Sequence, residues 1–208
     1  MRHVKPLLIL LSVGALAGAG PLATSTSATS RHAAPHAAQR MVHRIACTIT
    51  GTSAGEVIHG TPGIDVICAL GGRDKVFAKG GDDIIFGGDG NDFLRGGPGD
   101  DRIVGGRGSD HMLGMVGNDL LQGGLGNDVG DGFGGNDFVY GGPGGDIQLY
   151  GGNGKDLVSG GQGNDRCVAT IDGDANDQAF GGPGSDTRYT DPGDRFQGFE
   201  RSRPCFAE

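Results

Sequence analysis

An acidic residue recurs at every ninth position for much of this chain, and that spacing limits the fold more than any other feature. From Gly51 the sequence divides into nine-residue units without a gap up to Leu149. Tyr150 then reads as one inserted residue. The phase resumes at Gly151 and Gly160, slips by Ala169-Thr170-Ile171, and resumes at Asp172 and Gly181, giving fifteen units over 51–189. Gly87-Gly88-Asp89-Gly90-Asn91-Asp92-Phe93-Leu94-Arg95 is among the clearest. Position six is Glu56 in the first unit and Asp in every later one. Position four is Gly except at Ala54 and Ala175. Position eight runs Ile58, Ile67, Val76, Ile85, Leu94, Ile103, Met112, Leu121, then weakens through Gly130, Val139, Gln148, Val158, Cys167, Ala179 and Arg188. Columns this regular require one structural element, repeated and stacked on itself.

Composition narrows the choice of element. Glycine supplies 45 of 208 residues and Trp is absent. Of 25 acids only Glu56, Glu200 and Glu208 are glutamate. Gly and Asp are poor helix formers, so a helical protein is excluded. Collagen is excluded because glycine does not fall on every third position. Too few large apolar residues remain for the wide core of an ordinary globular enzyme. Charge divides the chain: residues 1–50 carry five basic groups and no acid, while the rest carries 12 basic and 25 acidic groups. A segment so acidic repels nucleic acid and anionic lipid and attracts cations.

The unit G-G-x-G-x-D-x-U-x resembles the RTX (repeats-in-toxin, haemolysin-type) calcium-binding nonapeptide, an established repeat signature. The resemblance covers 51–189. It implies an all-β fold, a parallel β-roll (right-handed β-solenoid) of about seven coils. Each unit would give a six-residue turn and a short strand, and two units would make one coil. It also implies several Ca²⁺ ions held between turns stacked on one side of the roll. Elementary chemistry agrees: Gly at positions one, two and four permits φ > 0 and close approach of turns. Carbonyls and a short-stemmed carboxylate suit a hard cation that takes roughly 6–8 oxygens. Position eight would face inward, and positions seven and nine outward. Stacking of alternate units places Asp74, Asp92, Asp110, Asp128, Asp146 and Asp165 on one side as metal ligands. Asp65, Asp83, Asp101, Asp119, Asp137 and Asp156 fall on the other, with Asp186 in the last unit. The end units depart from the pattern, with Ala69-Leu70 and Ala78-Lys79 in place of the leading glycines.

Outside the repeats, Arg2, His3 and Lys5 precede the apolar run Leu7–Ala17, and small-x-small sites follow. This is the pattern of a secretory signal peptide over 1–19, too short and glycine-broken to span a bilayer. Residues 20–50 read as a flexible spacer and 190–208 as a C-terminal cap. Four cysteines in an exported chain suggest two disulfides. Given the roll, Cys68 and Cys167 stand about five coils apart, roughly 25 Å at ~4.8 Å per strand. A bridge requires Cα atoms within ~7 Å. Cys47–Cys68 and Cys167–Cys205 then remain, each closing an end; four free thiols are the alternative for a chain never exported. Phe196, Phe199 and Phe206 are candidates to cover the C-terminal end.

Several weaker motifs are set aside. Gly51-Thr52-Ser53-Ala54-Gly55 matches G-x-S-x-G, but that elbow requires a strand before it and a helix after it. Asp172–Asp177 opens like an EF-hand loop but lacks Gly at loop position six and has Pro183 where the bidentate Glu belongs. The histidines are scattered. The expectation is therefore a secreted, non-enzymatic calcium-binding β-roll with a structural or interaction role. The alternative is the secretion or folding module of an RTX enzyme or toxin, a hydrolase or cytolysin. Phe77, Phe86, Phe93, Leu113, Tyr140 and Leu149 would point outward. Either a protein or cell-surface partner covers them, or the spacer or tail does.

Overall fold

The computed structural model describes residues 46–170, 177–190, 194–199 and 201–202. Its elements are all strands. In chain order they are β1 (Ile49–Thr50), β2 (Val57–His59), β3 (Val66–Cys68), β4 (Lys75–Phe77), β5 (Ile84–Asp89) and β6 (Phe93–Pro98). There follow β7 (Arg102–Arg107), β8 (His111–Val116), β9 (Leu120–Leu125), β10 (Val129–Gly134), β11 (Phe138–Pro143) and β12 (Gln148–Asn153). The last six are β13 (Leu157–Gln162), β14 (Val168–Thr170), β15 (Gln178–Phe180), β16 (Thr187–Thr190), β17 (Arg195–Gln197) and β18 (Arg201–Ser202). Odd-numbered strands form one nine-stranded sheet and even-numbered strands another, both in sequence order. Every pairing is with the strand two along and is parallel, as in Ile85↔Ile103↔Leu121. The chain is thus a β-solenoid of two strands per coil and about eight turns. β1, β17 and β18 lie outside 51–189 and continue the same ladders, which lengthens the roll at both ends.

One side chain per unit fills the interior. Ile67, Val76, Ile85, Leu94, Ile103, Met112 and Leu121 are fully buried in a single file between the sheets. In the intact units the strand runs on through the next leading glycine pair, as in Phe93–Pro98, so the turn proper is shorter than six residues. Gly at position one then faces inward and adds backbone, not bulk, to the core.

Gly130 beside Met112 and Val139 beside Leu121 follow the sequence reading, but between Asp146 and Gly151 the register differs from it. Gly130 pairs with Leu149, and Val129 with Gln148. The inserted residue is therefore Ile147, not Tyr150. Leu149, expected on the outer face, is fully buried, and Gln148, expected in the core column, is not. The reason is packing. Gly130 leaves room in the file, and a Cβ there would lie 2.9 Å from Val139 Cγ1 and 3.5 Å from Leu149 Cδ2. A second extra residue falls at Cys167, whose φ of 57° makes a kink that lets Val168 pair with Leu149 and fill the core. Arg188, opposite Val168, lays its guanidinium 3.0 Å from the Phe196 ring centre, and Phe199 packs against the core file.

Cys47, two residues before β1, is bridged to Cys68 at the end of β3, with Cα atoms 5.9 Å apart. Cys167 is disulfide-bonded as well; Cys205, the partner expected for it, lies outside the described residues, as do Phe206, the signal segment 1–19 and the spacer through residue 45. Among the described residues no helix is long and apolar enough to cross a membrane. On the even sheet His59 stacks on Phe77, Phe77 meets Phe93, and Phe93 meets His111 edge-on, an aromatic row along four neighbouring strands.

The register makes a direct prediction. In saturating calcium, Leu149→Ala should lower unfolding free energy by about 2–5 kcal/mol, the range for truncating a buried leucine. Gln148→Ala should change it by no more than about 0.5 kcal/mol. Denaturant unfolding of the two variants distinguishes this register from one with Leu149 outside.

Candidate metal centre

The position-six aspartates form two ladders, one beside each row of turns. In each, the backbone N–H of one aspartate donates to Oδ1 of the aspartate one coil on. Asp74, Asp92, Asp110, Asp128, Asp146, Asp165 and Asp186 are linked in this way at 2.8–3.0 Å. Asp65, Asp83, Asp101, Asp119, Asp137, Asp156 and Asp177 are linked at 2.7–2.8 Å. All are buried. The structure brings together the same two sets that alternate stacking places together, and it adds Asp177, which shares the column but stands in the degenerate unit after the slip.

Only half of each carboxylate is satisfied this way. Oδ2 of Asp74, Asp83, Asp92, Asp101, Asp110, Asp119, Asp128, Asp137, Asp146 and Asp165 is buried without a hydrogen-bond partner. A carboxylate oxygen removed from water and left unpaired is costly unless a cation or proton meets it. Burial accordingly pushes Asp83, Asp92, Asp101, Asp110, Asp119, Asp128, Asp137, Asp146 and Asp165 above the ordinary carboxylate range. The Asp74-side backbone N–H that bonds Asp92 opposes the rise, and neighbouring carboxylates add to it. Asp101, Asp110, Asp137 and Asp146 reach about 7, and Asp83, Asp119, Asp128 and Asp165 about 6.

The glycines explain where Oδ2 points. A Cβ on Gly87, at position one, would lie 2.7 Å from Asp92 Oδ2 and 2.6 Å from the Gly105 carbonyl oxygen of the next coil. At Gly123 the same place is closed by Asp128 Oδ2 and the Gly141 carbonyl. Position one is therefore glycine to leave a cradle where a carboxylate and a carbonyl converge. It does not have a positive φ, as the sequence reading supposed; positions two and four do, as at Gly88 (φ 105°) and Gly90 (φ 142°). Leu70 and Lys79 take the same left-handed conformation at position two despite their side chains.

A second ladder was missed. At position five, the backbone N–H of Asn118 donates to Asp100 Oδ1 at 2.7 Å, that of Asn136 to Asn118 Oδ1 at 2.9 Å, and that of Ser109 to Asn91 Oδ1 at 2.9 Å. These bonds run opposite to the aspartate ladder, so the turns they join are tied in both directions. The column Asp82, Asn91, Asp100, Ser109, Asn118, Asn127, Asn136 carries the signal.

Among the described residues no three His, Cys, Asp or Glu side chains gather at one point. Carboxylates supplemented by backbone carbonyls fit a hard, oxygen-seeking cation such as Ca²⁺. Comparison with known families agrees. A family described as the RTX calcium-binding nonapeptide repeat matches in four copies, at residues 50–85, 77–112, 113–148 and 131–167. No curated protein matches the chain.

The raised carboxylates set a pH dependence. A folded-state pKa above the unfolded value of 3.8 means the metal-free roll holds protons that the unfolded chain has lost. Its stability is then greatest below about pH 4 and is lost as pH rises through 6 to 7. In EDTA, strand content by circular dichroism should increase from pH 8 to pH 5. Apparent calcium affinity should fall over the same interval as protons compete. A metal-free chain that loses strand content on acidification would contradict the assignment of these groups.

Proposed function

The chain belongs to the RTX calcium-binding nonapeptide-repeat family, and on that premise we propose that it is a secreted β-roll that folds by taking up several Ca²⁺ ions between stacked turns. Asp74 to Asp165 in the two ladders would supply carboxylate ligands, with Asp186 at the C-terminal end, and the turn carbonyls would supply the rest. The observation that carries this reading is the run of buried Oδ2 atoms without a partner, which at Asp92, Asp110, Asp128, Asp137, Asp146 and Asp165 lie in a glycine cradle beside a carbonyl of the next coil. Bound calcium supplies positive charge to oxygens that the protein itself leaves bare. The chain's own part is to hold Oδ1 fixed through the Asp amide ladder, and to keep side chains out of the cradle.

The role is structural or interactive rather than catalytic. Ser53 lies in the turn between β1 and β2, with a strand and not a helix after it, which is not the setting of a hydrolase nucleophile. Export is supported by the basic start and apolar run near the N-terminus and by the disulfide that joins Cys47 to Cys68. Partly exposed Phe86, Phe138 and Tyr140 on the odd sheet, and the His59-to-His111 row on the even sheet, offer surface to a protein or cell-surface partner.

Folding and binding should be one event, as in other domains whose site exists only when folded. A far-UV circular dichroism titration of the mature chain with Ca²⁺ should show strand content rising cooperatively and reversing with EDTA. The midpoint should lie in the extracellular range of about 10⁻⁴–10⁻³ M. Asp110→Asn and Asp128→Asn should each move the midpoint to higher calcium, whereas His111→Ala should not. Full strand content in EDTA at neutral pH would sink the proposal.

A further inference from the structure

The first coil is built differently from those that follow. At Asp65, Oδ2 accepts both the Thr61 backbone N–H at 2.6 Å and the Thr61 hydroxyl at 2.9 Å, and Oδ1 accepts the Thr48 hydroxyl at 3.3 Å. Thr61 holds position two, where intact units have glycine. The Lys79 ammonium, also in place of a position-two glycine and one coil along, acts on the same carboxylate with a favourable charge. On the opposite side Glu56 stands for aspartate, and its longer side chain reaches back to accept the Thr52 backbone N–H at 2.5 Å. The Cys47–Cys68 bridge fastens the strand before these turns to the strand after them.

We infer that the first coil, residues 47–68, is a calcium-independent cap, in which threonine donors stand where the later turns use a cation. This rests on the calcium reading of the inner turns and assigns Asp65 to the protein's own hydrogen bonds rather than to a metal. Two independent features point the same way. Both lone pairs of Asp65 Oδ2 are taken by Thr61, whereas Oδ2 of Asp83, the next in its ladder, is bare. The Cys47–Cys68 disulfide removes chain entropy from this segment, by closing a loop 21 residues long. A coil ordered before calcium arrives offers the edges of β2 and β3 as templates. Each added coil then has a neighbour to pair with, so calcium-driven folding proceeds from the N-terminal end. The first coil removes the nucleation step that a metal-free solenoid of weak repeats would otherwise face.

The test uses the disulfide-bonded mature chain at neutral pH. In EDTA, hydrogen exchange should show amides of Val66–Cys68 protected at least about tenfold over those of β7 and β9. Thr61→Gly, which restores the repeat consensus, should abolish that protection. Calcium stoichiometry by titration calorimetry should be unchanged in Asp65→Asn and reduced in Asp110→Asn. Equal exchange of the first and central coils in EDTA would overturn the inference, as would an Asp65→Asn variant that loses calcium just as Asp110→Asn does. A count unaffected by Asp110→Asn would instead overturn the calcium reading on which the inference rests.

Discussion

The buried aspartate that is satisfied on one oxygen and bare on the other governs this molecule. Its Oδ1 accepts an amide N–H from the preceding coil, so each carboxylate is fixed by the stack and also helps hold it. Its Oδ2 is buried without a hydrogen-bond donor. Ten such oxygens in two files make the roll unfavourable alone at neutral pH, because breaking or leaving unpaired a buried charge costs several kcal/mol. The interaction that aligns the coils therefore also makes them depend on an external charge.

Glycine serves this constraint in two ways. Turns at positions two and four need a left-handed backbone, which glycine takes without steric cost. From Gly87 onward, position one leaves out the Cβ that Ala69 and Ala78 carry in the earlier units, and the carboxylate and, as at Gly87 and Gly123, the next coil's carbonyl use that volume. The cost appears in the core, which has one side chain per unit. A file of Ile, Leu, Val and Met between two sheets buries far less apolar surface per residue than an ordinary domain. Stability has to come from the turns as much as from the interior, and this is why the chain tolerates Gly130 in the file when Leu149 and Val139 close over it.

Much of this was legible in the sequence. A strict nine-residue column of Asp with Gly two positions before it fixes strand-turn alternation, and two units per coil fixes which aspartates share a side. The ladders from Asp74 to Asp165 and from Asp83 to Asp156 follow directly. The register between Asp146 and Gly151, and again at Cys167, was not legible, because an insertion can be placed anywhere between two intact turns when only spacing is counted. Packing decides it: Leu149 and Val168 go inside, and Ile147 and Cys167 absorb the extra residue. Asp177 was obscured for the same reason, since its unit lacks glycine at position four. The position-five ladder was visible as a column but carries no charge pattern that singles it out.

The ends show how a repeat can be modified without leaving its geometry. Thr48 and Thr61 close on Asp65 at the N-terminal end, and at the other end the Thr170 hydroxyl donates to Asp194 Oδ2 at 3.1 Å. A threonine supplies a donor but no net charge, so it satisfies a carboxylate oxygen without neutralising it. That suffices near a terminus, where water screens the charge from one side, and Asp65 indeed lies below the ordinary carboxylate range, first through the Thr61 backbone N–H. Midway along the roll, carboxylates stand above and below, and burial drives Asp101, Asp110, Asp137 and Asp146 to about 7. A neutral donor there would leave the mutual repulsion of the file in place. Only a cation answers both the missing hydrogen bond and the accumulated charge, so the demand for metal grows inward from each end.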